Sequence, residues 1–427
     1  MAANERLNGW MSPLVIVLLP LLLSCGVLPR ELKALGSTRS VEYAARYLYV
    51  DNGIELELIW PRLGNPALLQ AADEQLVIHY FSAEKEGLSS ISASAASGVE
   101  VGLEVMGEPT CDDHGLCSLT VSLPPSTPAD QNLTLCVKSK TEKVCQQGAI
   151  HRFAETPDPL RLAVLADIHF KSQQLIEYRR RMDLVFQAIE AADPPIHLVV
   201  MLGDLADEGE LDETLGVVDA IRDRRLPVAV LPGNHDFLKG NIANYLLHIN
   251  PRLDYEIRVG PYLLVALNTG PSLWEEHKIP LSGRNVGLDS EQLNWFSELT
   301  RSTDNVEVAM LHTPASTAST SRFRGLRREF LAVASDHGVQ LILAGHTHQN
   351  EQRGKTGLDK GICQSNVAVE ELPLSLTSAK STACHGGFRV VTLDPGGGPS
   401  FCWVEVSMSS QHIGDTPGFC RSPTGGP

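Results

Sequence analysis

Five short stretches of this sequence carry side chains suited to holding metal ions: Asp167-Ile168-His169, Gly203-Asp204, Gly233-Asn234-His235-Asp236, His312 and Gly345-His346-Thr347-His348. Carboxylate and imidazole groups together bind borderline di- or trivalent cations such as Mn, Fe and Zn. In Asp-x-His and His-x-His, alternate residues of an extended segment project the same way, so each pair can aim two groups into one pocket. The glycines at 203, 233 and 345 let the backbone turn sharply beside the ions. Two such ions about 3.5–4 Å apart can clamp the attacking and leaving oxygens of an in-line displacement at phosphorus, and a water bridging them loses its proton near neutral pH. Each fragment alone has a blander reading, since Gly-Asp is common in turns and a lone histidine is usually structural. The ordered set is far more specific.

The set needs a scaffold that gathers residues spread from position 167 to position 348. Each stretch follows a short apolar run, at residues 160–166, 197–202, 227–231, 306–311 and 339–344, with one further run at 262–267. Amphipathic stretches at 173–192, 210–224, 290–300 and 324–337 alternate with these runs and read as helices. Strands alternating with helices predict an α/β domain with a largely buried sheet. In such sheets sites collect at the carboxyl edge of the strands. A Ser- and Gly-rich stretch follows residue 350, then two closing strands at 388–393 and 401–406.

The ordered set resembles the calcineurin-like metallophosphoesterase superfamily, whose pattern is Asp-x-His, Gly-Asp-x-x-Asp, Gly-Asn-His-Asp, His and Gly-His-x-His. Here it reads Asp167/His169, Gly203-Asp204-Leu205-Ala206-Asp207, Gly233-Asn234-His235-Asp236, His312 and Gly345-His346-Thr347-His348. The resemblance covers about residues 160–408 and implies a four-layer α/β/β/α sandwich with two packed sheets. It implies that Asp167, His169 and His348 hold one metal ion, that Asn234, His312 and His346 hold the other, and that Asp204 bridges them. His235, beside Asn234, is then placed to stabilise developing charge or protonate the leaving oxygen. Asp207 or Asp236 could orient a neighbouring histidine, and Asp236 could equally cap the following helix. The segment around Gln292 and Trp295 is similar to the cyclic-nucleotide-phosphodiesterase-like branch. Purple acid phosphatases carry a tyrosine where this chain has Asp207, which argues against that branch.

The 427-residue length suggests two or three domains, and the 43% apolar content suffices for sizeable cores. A net charge of −16 disfavours a nucleic-acid polymer as partner and leaves a small phosphoester substrate open, because bound cations reverse the local field. Residues 14–23 are apolar apart from Pro20 and match a signal-peptide core, being short of the roughly 20 residues a bilayer needs. Leu22-Leu23-Ser24-Cys25-Gly26 resembles a bacterial lipoprotein signal, with Cys25 the lipidated residue. An exported, membrane-anchored protein is therefore expected, a soluble secreted one being the alternative. Residues 26–40 read as a tether, 41–155 as an all-β, immunoglobulin-like domain, 157–410 as the metallophosphoesterase domain and 411–427 as a tail.

Beyond Cys25, eight cysteines remain: four before the α/β domain's motifs (Cys111, Cys117, Cys136 and Cys145) and four after them (Cys363, Cys384, Cys402 and Cys420). With no Cys-x-x-Cys pair they suggest disulfides within each group. His79, His114 and His151 read as structural or surface residues, and Asn132-Leu133-Thr134 is a glycosylation sequon. No Gly-x-Ser-x-Gly or Walker loop occurs. The expected activity is binuclear hydrolysis of phosphate esters, favouring diesters, outside the cytoplasm. A phosphomonoesterase or nucleotidase and a non-catalytic surface binding protein are the alternatives.

Overall fold

The computed structural model describes residues 39–85, 87–270, 287–301, 306–315, 323, 326–346, 348, 351–353, 358–359, 375–378, 387–396 and 398–406. The apolar run at 14–23, Cys25 and the tail at 411–427 lie outside these residues. Among the described residues no helix is long and apolar enough to cross a membrane.

The chain enters through α1 (Arg39–Tyr43) and a π-helical turn, Ala44–Tyr49, where the sequence was expected to begin a β-domain. Val41, Ala44, Ala45 and Tyr49 are fully buried and pack with Ile59 and Phe81. The turn is helical because its apolar side chains fall on one face rather than alternating.

Ten strands follow: β1 (Leu56–Trp60), β2 (Ala67–Leu69), β3 (Gln75–Ser82), β4 (Ser90–Ala95), β5 (Glu100–Gly102), β6 (Glu104–Val105), β7 (Thr110–Cys111), β8 (Leu116–Ser122), β9 (Gln131–Lys138) and β10 (Lys143–Arg152). They form two sheets, β1-β3-β8-β6 with β7 on β8, and β2-β10-β9-β4-β5. Alternate residues such as Leu76, Ile78 and Tyr80 face alternates such as Leu133, Leu135 and Val137 across one core, as period-two patterning requires. The neighbouring short strands β5 and β6 belong to different sheets. Disulfides Cys111–Cys117 and Cys136–Cys145 each join directly paired residues of neighbouring strands. Cys363, Cys384 and Cys420 lie outside the described residues.

The α/β part contains β11 (Leu160–Leu165), α2 (Leu175–Glu190), β12 (Leu198–Leu202), α3 (Leu211–Ile221), β13 (Val228–Leu231), α4 (Ile242–His248), β14 (Tyr255–Val259), β15 (Tyr262–Leu267), α5 (Ser290–Thr300), β16 (Val306–Leu311), α6 (Arg327–Asp336), β17 (Leu341–Ala344), β18 (Glu351–Arg353), β19 (Leu358–Asp359), β20 (Ser375–Ser378), β21 (Gly387–Leu393) and β22 (Ser400–Glu405). Two six-stranded sheets result, β13-β12-β11-β21-β22-β19 and β14-β15-β16-β17-β20-β18. Leu162, Val164, Val200, Leu264, Met310 and Leu343 lie in the core that the two sheets share. The other face of the first sheet meets Tyr178, Met182, Val185 and Phe186 of α2, whose spacing makes one apolar stripe. The other face of the second sheet meets Phe296 of α5 and Phe330 of α6. The architecture is the four-layer α/β/β/α sandwich, preceded by an all-β domain. Strands buried on both faces explain why their sequences are continuous apolar runs.

The two parts meet through specific bonds. The Asn132 amide donates to the carbonyls of Arg224 and Leu226 at 2.8 Å each, and its oxygen accepts from His151 Nδ1 at 2.8 Å. A glycan on that nitrogen would replace one of the donated hydrogens and stand in the joint, so the sequon is a structural asparagine here. Asn132→Ala is expected to lower stability by about 1–3 kcal/mol by stranding these partners. The readout is the urea midpoint of the first unfolding transition, and an unshifted midpoint contradicts the role.

Candidate metal centre

The parallel register of β11, β12 and β13, and of β15, β16 and β17, brings their carboxyl ends to one edge of each sheet. The loops leaving those ends carry the candidate ligands, and they are strained. Asp167, His169, Asp204, His346 and His348 have φ between 51° and 69°, five of the nine left-handed non-glycine residues among those described. Such conformations cost on the order of 1–3 kcal/mol each, and Asp and His bear them better than most residues.

The loops hold one another in these conformations. The amides of Ile168 and His169 donate to the Asp204 carbonyl at 2.8 and 2.9 Å. The His346 amide donates to both carboxylate oxygens of Asp167 at 2.9 and 3.0 Å. Gly233 is required by packing, because a Cβ there would run into the Asp204 carboxylate and lie 2.8 Å from His312 Cε1.

Two of the three groups whose candidate ligand atoms lie within 4.8 Å of one another are Asp167, His169 and His348, and Asp204, His312 and His346; the third is His169, Asp207 and His235. In the first, His348 Nε2 lies 3.4 Å from Asp167 Oδ1 and 3.3 Å from His169 Nε2. In the second, His312 Nε2 lies 3.2 Å from Asp204 Oδ2 and 3.2 Å from Asn234 Oδ1. Asp204 Oδ2 is also 3.9 Å from His169 Nε2, so one carboxylate stands between the two groups.

The donor chemistry fits metal ions. His312 Nδ1 donates to the Leu202 carbonyl at 2.7 Å, which leaves Nε2 to accept a cation. His169 Nδ1 faces Asp207 Oδ1 at 3.4 Å, an electrostatic contact rather than a well-formed hydrogen bond. Burial opposes charge on His312, but the Asp204 carboxylate outweighs it and raises the pKa to about 9. Burial would likewise raise Asp204, yet the His312 imidazole takes it well below the usual carboxylate range. His169 is raised against burial by Asp207 and Asp204. The negative field that attracts these protons also attracts cations, and a cation on Nε2 takes the proton's place.

Other site residues fall around this pair. The His235 amide donates to Asp204 Oδ1 at 2.8 Å, and its Nδ1 donates to the Asp207 carbonyl at 2.6 Å. Its ring meets that of His169 edge-on at 4.5 Å between centroids. Asp236 does not orient a histidine or cap the following helix, the two roles expected from sequence. Its buried carboxylate accepts from the amides of Gly233 at 2.7 Å, Ala206 at 3.0 Å and Leu205 at 3.3 Å, tying two ligand loops together. Burial, reinforced by Asp204, raises its pKa to about 6 against those three bonds. Lys171, whose Nζ is 3.5 Å from Asp207 Oδ2, was missed from sequence. Its only signal is its place two residues after His169. The Gln292 side chain donates to Asp254 and to the Asn268 carbonyl at 2.8 Å each, a buried structural staple.

The sequence profile of the calcineurin-like phosphoesterase family matches residues 160–350. A probable cyclic nucleotide phosphodiesterase of Fibrobacter succinogenes is 22% identical over 208 residues, spanning 44% of this chain and 73% of the relative. A 3',5'-cyclic-nucleotide phosphodiesterase of Nostoc sp. is 24% identical over 208 residues, spanning 46% and 74%. Residues 160–350 of this chain form a calcineurin-like phosphoesterase domain. It is a phosphoric ester hydrolase. Among solved structures, a purple acid phosphatase of yellow lupin, Lupinus luteus, has a TM-score of 0.49 at 12% identity, covering 79% of this chain and 71% of that one. Metallophosphoesterases generally use a binuclear metal centre, and the two neighbouring groups, with Asp204 Oδ2 in one and 3.9 Å from His169 Nε2 of the other, are the candidate for it.

If Asp236 fixes the loops, Asp236→Asn weakens metal binding by about 10–100-fold, the scale of lost outer-shell support. Titration of the metal-free protein with Mn²⁺ in a calorimeter reads this directly, and an unchanged affinity contradicts it.

Proposed function

We propose that this metallophosphoesterase hydrolyses phosphodiesters outside the cytoplasm, with Asp167, His169 and His348 holding one metal ion, Asn234, His312 and His346 the other, and Asp204 shared. The observation that carries the reading is the reach of Asp204 Oδ2, 3.2 Å from His312 Nε2 and 3.9 Å from His169 Nε2. The diester preference rests on the relatives named as cyclic nucleotide phosphodiesterases. When bound, the pair of ions supplies Lewis acidity and an activated water for in-line attack at phosphorus.

The chain's own residues do the rest. The Asp207 carbonyl fixes His235 Nδ1 as a donor, which leaves Nε2 as the atom that meets the substrate. From there a protonated His235 hydrogen-bonds a phosphoryl oxygen and passes its proton to the departing alkoxide. Lys171 partly balances Asp207 and so limits how strongly that carboxylate repels an anionic substrate. Anchoring through Cys25 is the export reading of the leader sequence.

The test is hydrolysis of bis(p-nitrophenyl) phosphate against p-nitrophenyl phosphate in Mn²⁺. Faster diester cleavage that Asp204→Asn abolishes is expected, and a clear monoester preference overturns the diester assignment. His235→Ala keeps metal content and slows turnover by about 10²–10⁴-fold; full activity there removes the proton-donor role. Cys25→Ser expressed in a bacterial host moves the protein from the membrane to the soluble fraction, and unchanged fractionation overturns the anchor.

A further inference from the structure

A cavity of about 300 Å³ lies in the joint between the two parts of the chain, at the lower end of the range usual for small-molecule sites. The β-domain lines it with Asp130, His151 and Phe153, and the α/β domain with Glu190 at the end of α2, His197 just before β12 and Arg225 ahead of β13. His197 and Arg225 precede their strands, whereas the candidate metal ligands follow the carboxyl ends of the same strands. The cavity is therefore at the opposite edge of the sheet from the metal centre.

The two histidines bring opposite hydrogen-bonding edges to it. The Asn132 amide nitrogen donates to two carbonyls, so its oxygen accepts, and His151 Nδ1 is the donor in their 2.8 Å bond. A neutral ring protonated at Nδ1 carries a lone pair at Nε2. His197 is the reverse, because its Nδ1 accepts from the Arg161 amide at 3.0 Å and its proton is then on Nε2. Burial keeps both rings neutral. It lowers His151 to about 4 against the pull of Asp130, and it lowers His197 with Arg161 adding to the effect. Neither Nε2 has a hydrogen-bond partner among the described residues, and neither belongs to the unpaired polar atoms sealed from solvent. Each therefore keeps access to the cavity that its ring lines.

One acceptor and one donor on the wall of the same cavity define the ligand's chemistry. A metal ion is a poor match, because the proton on His197 Nε2 occupies the position a metal would take. An anion meets the Asp130 and Glu190 carboxylates with only Arg225 to offset them. A cation satisfies the carboxylates and His151 but leaves the His197 N–H facing a positive charge. An uncharged molecule with a donor and an acceptor side by side serves both rings. A cyclic amide has the two in one plane, and its flat body has the Phe153 ring and the apolar Ile196 and Leu226 to lie against.

We propose that this interdomain cavity binds a small uncharged cyclic amide, its N–H donating to His151 Nε2 and its carbonyl accepting from His197 Nε2. The probe is 2-pyridone, with N-methyl-2-pyridone as the control that lacks the donor. Crystals of the full chain are soaked with 5-bromo-2-pyridone and, separately, with its N-methyl derivative, and bromine is located by anomalous diffraction. The expected result is a bromine peak in the cavity with the first compound and none with the second. In solution 2-pyridone raises the melting temperature saturably, the N-methyl control binds at least about tenfold more weakly, and His197→Phe loses the rise. An empty cavity after a saturating soak overturns the proposal. So does equal filling by the N-methyl compound, or a rise that survives intact in folded His197→Phe. If that variant fails to fold, the soaks of the wild-type protein decide.

Discussion

Asp204 is a carboxylate buried to 2% exposure with a histidine ring on either side, and the rest of the site is arranged around it. Burying an unpaired carboxylate is costly enough that the group would normally take up a proton. Here the His312 imidazole and the His235 amide keep it charged. Asp167, fully buried in the neighbouring loop, adds a second carboxylate. The result is a largely buried, negatively charged pocket lined by imidazole nitrogens, an environment suited to metal cations.

Holding that pocket open demands loops that the chain would not adopt alone. Five candidate ligands sit in left-handed conformations, and the Asp236 carboxylate accepts from three loop amides. The scaffold bears this because the strands beneath are buried on both faces, with β11 and β12 packed between α2 and the second sheet. The strain is local, whereas the two apolar cores are extensive. Strain borne in this way leaves little freedom for the ligands to relax once formed, and that is the physical meaning of a preorganised site.

Much of this was legible in the sequence, and for identifiable reasons. Runs such as 160–166 and 339–344 announce strands because both of their faces are apolar, and the ligands follow where those runs stop. What stayed hidden depended on contacts distant in sequence. Nothing local marks Asp236 as the partner of Leu205 and Ala206, some thirty positions away. Strand β2 has three residues, too few to show a period, and β4 alternates but with only Ile91 as a large apolar residue. The turn at Ala44–Tyr49 is helical through burial against Ile59 and Phe81.

The central claim is that Asp204 joins two metal positions into one centre. The most direct measurement is anomalous diffraction at the Mn edge from crystals of the Mn²⁺-loaded protein. The account predicts two peaks about 3.5–4 Å apart, one beside His169 and His348, the other beside Asn234 and His312, with the Asp204 carboxylate between them. A single peak, or a pair not bridged by Asp204, would contradict it.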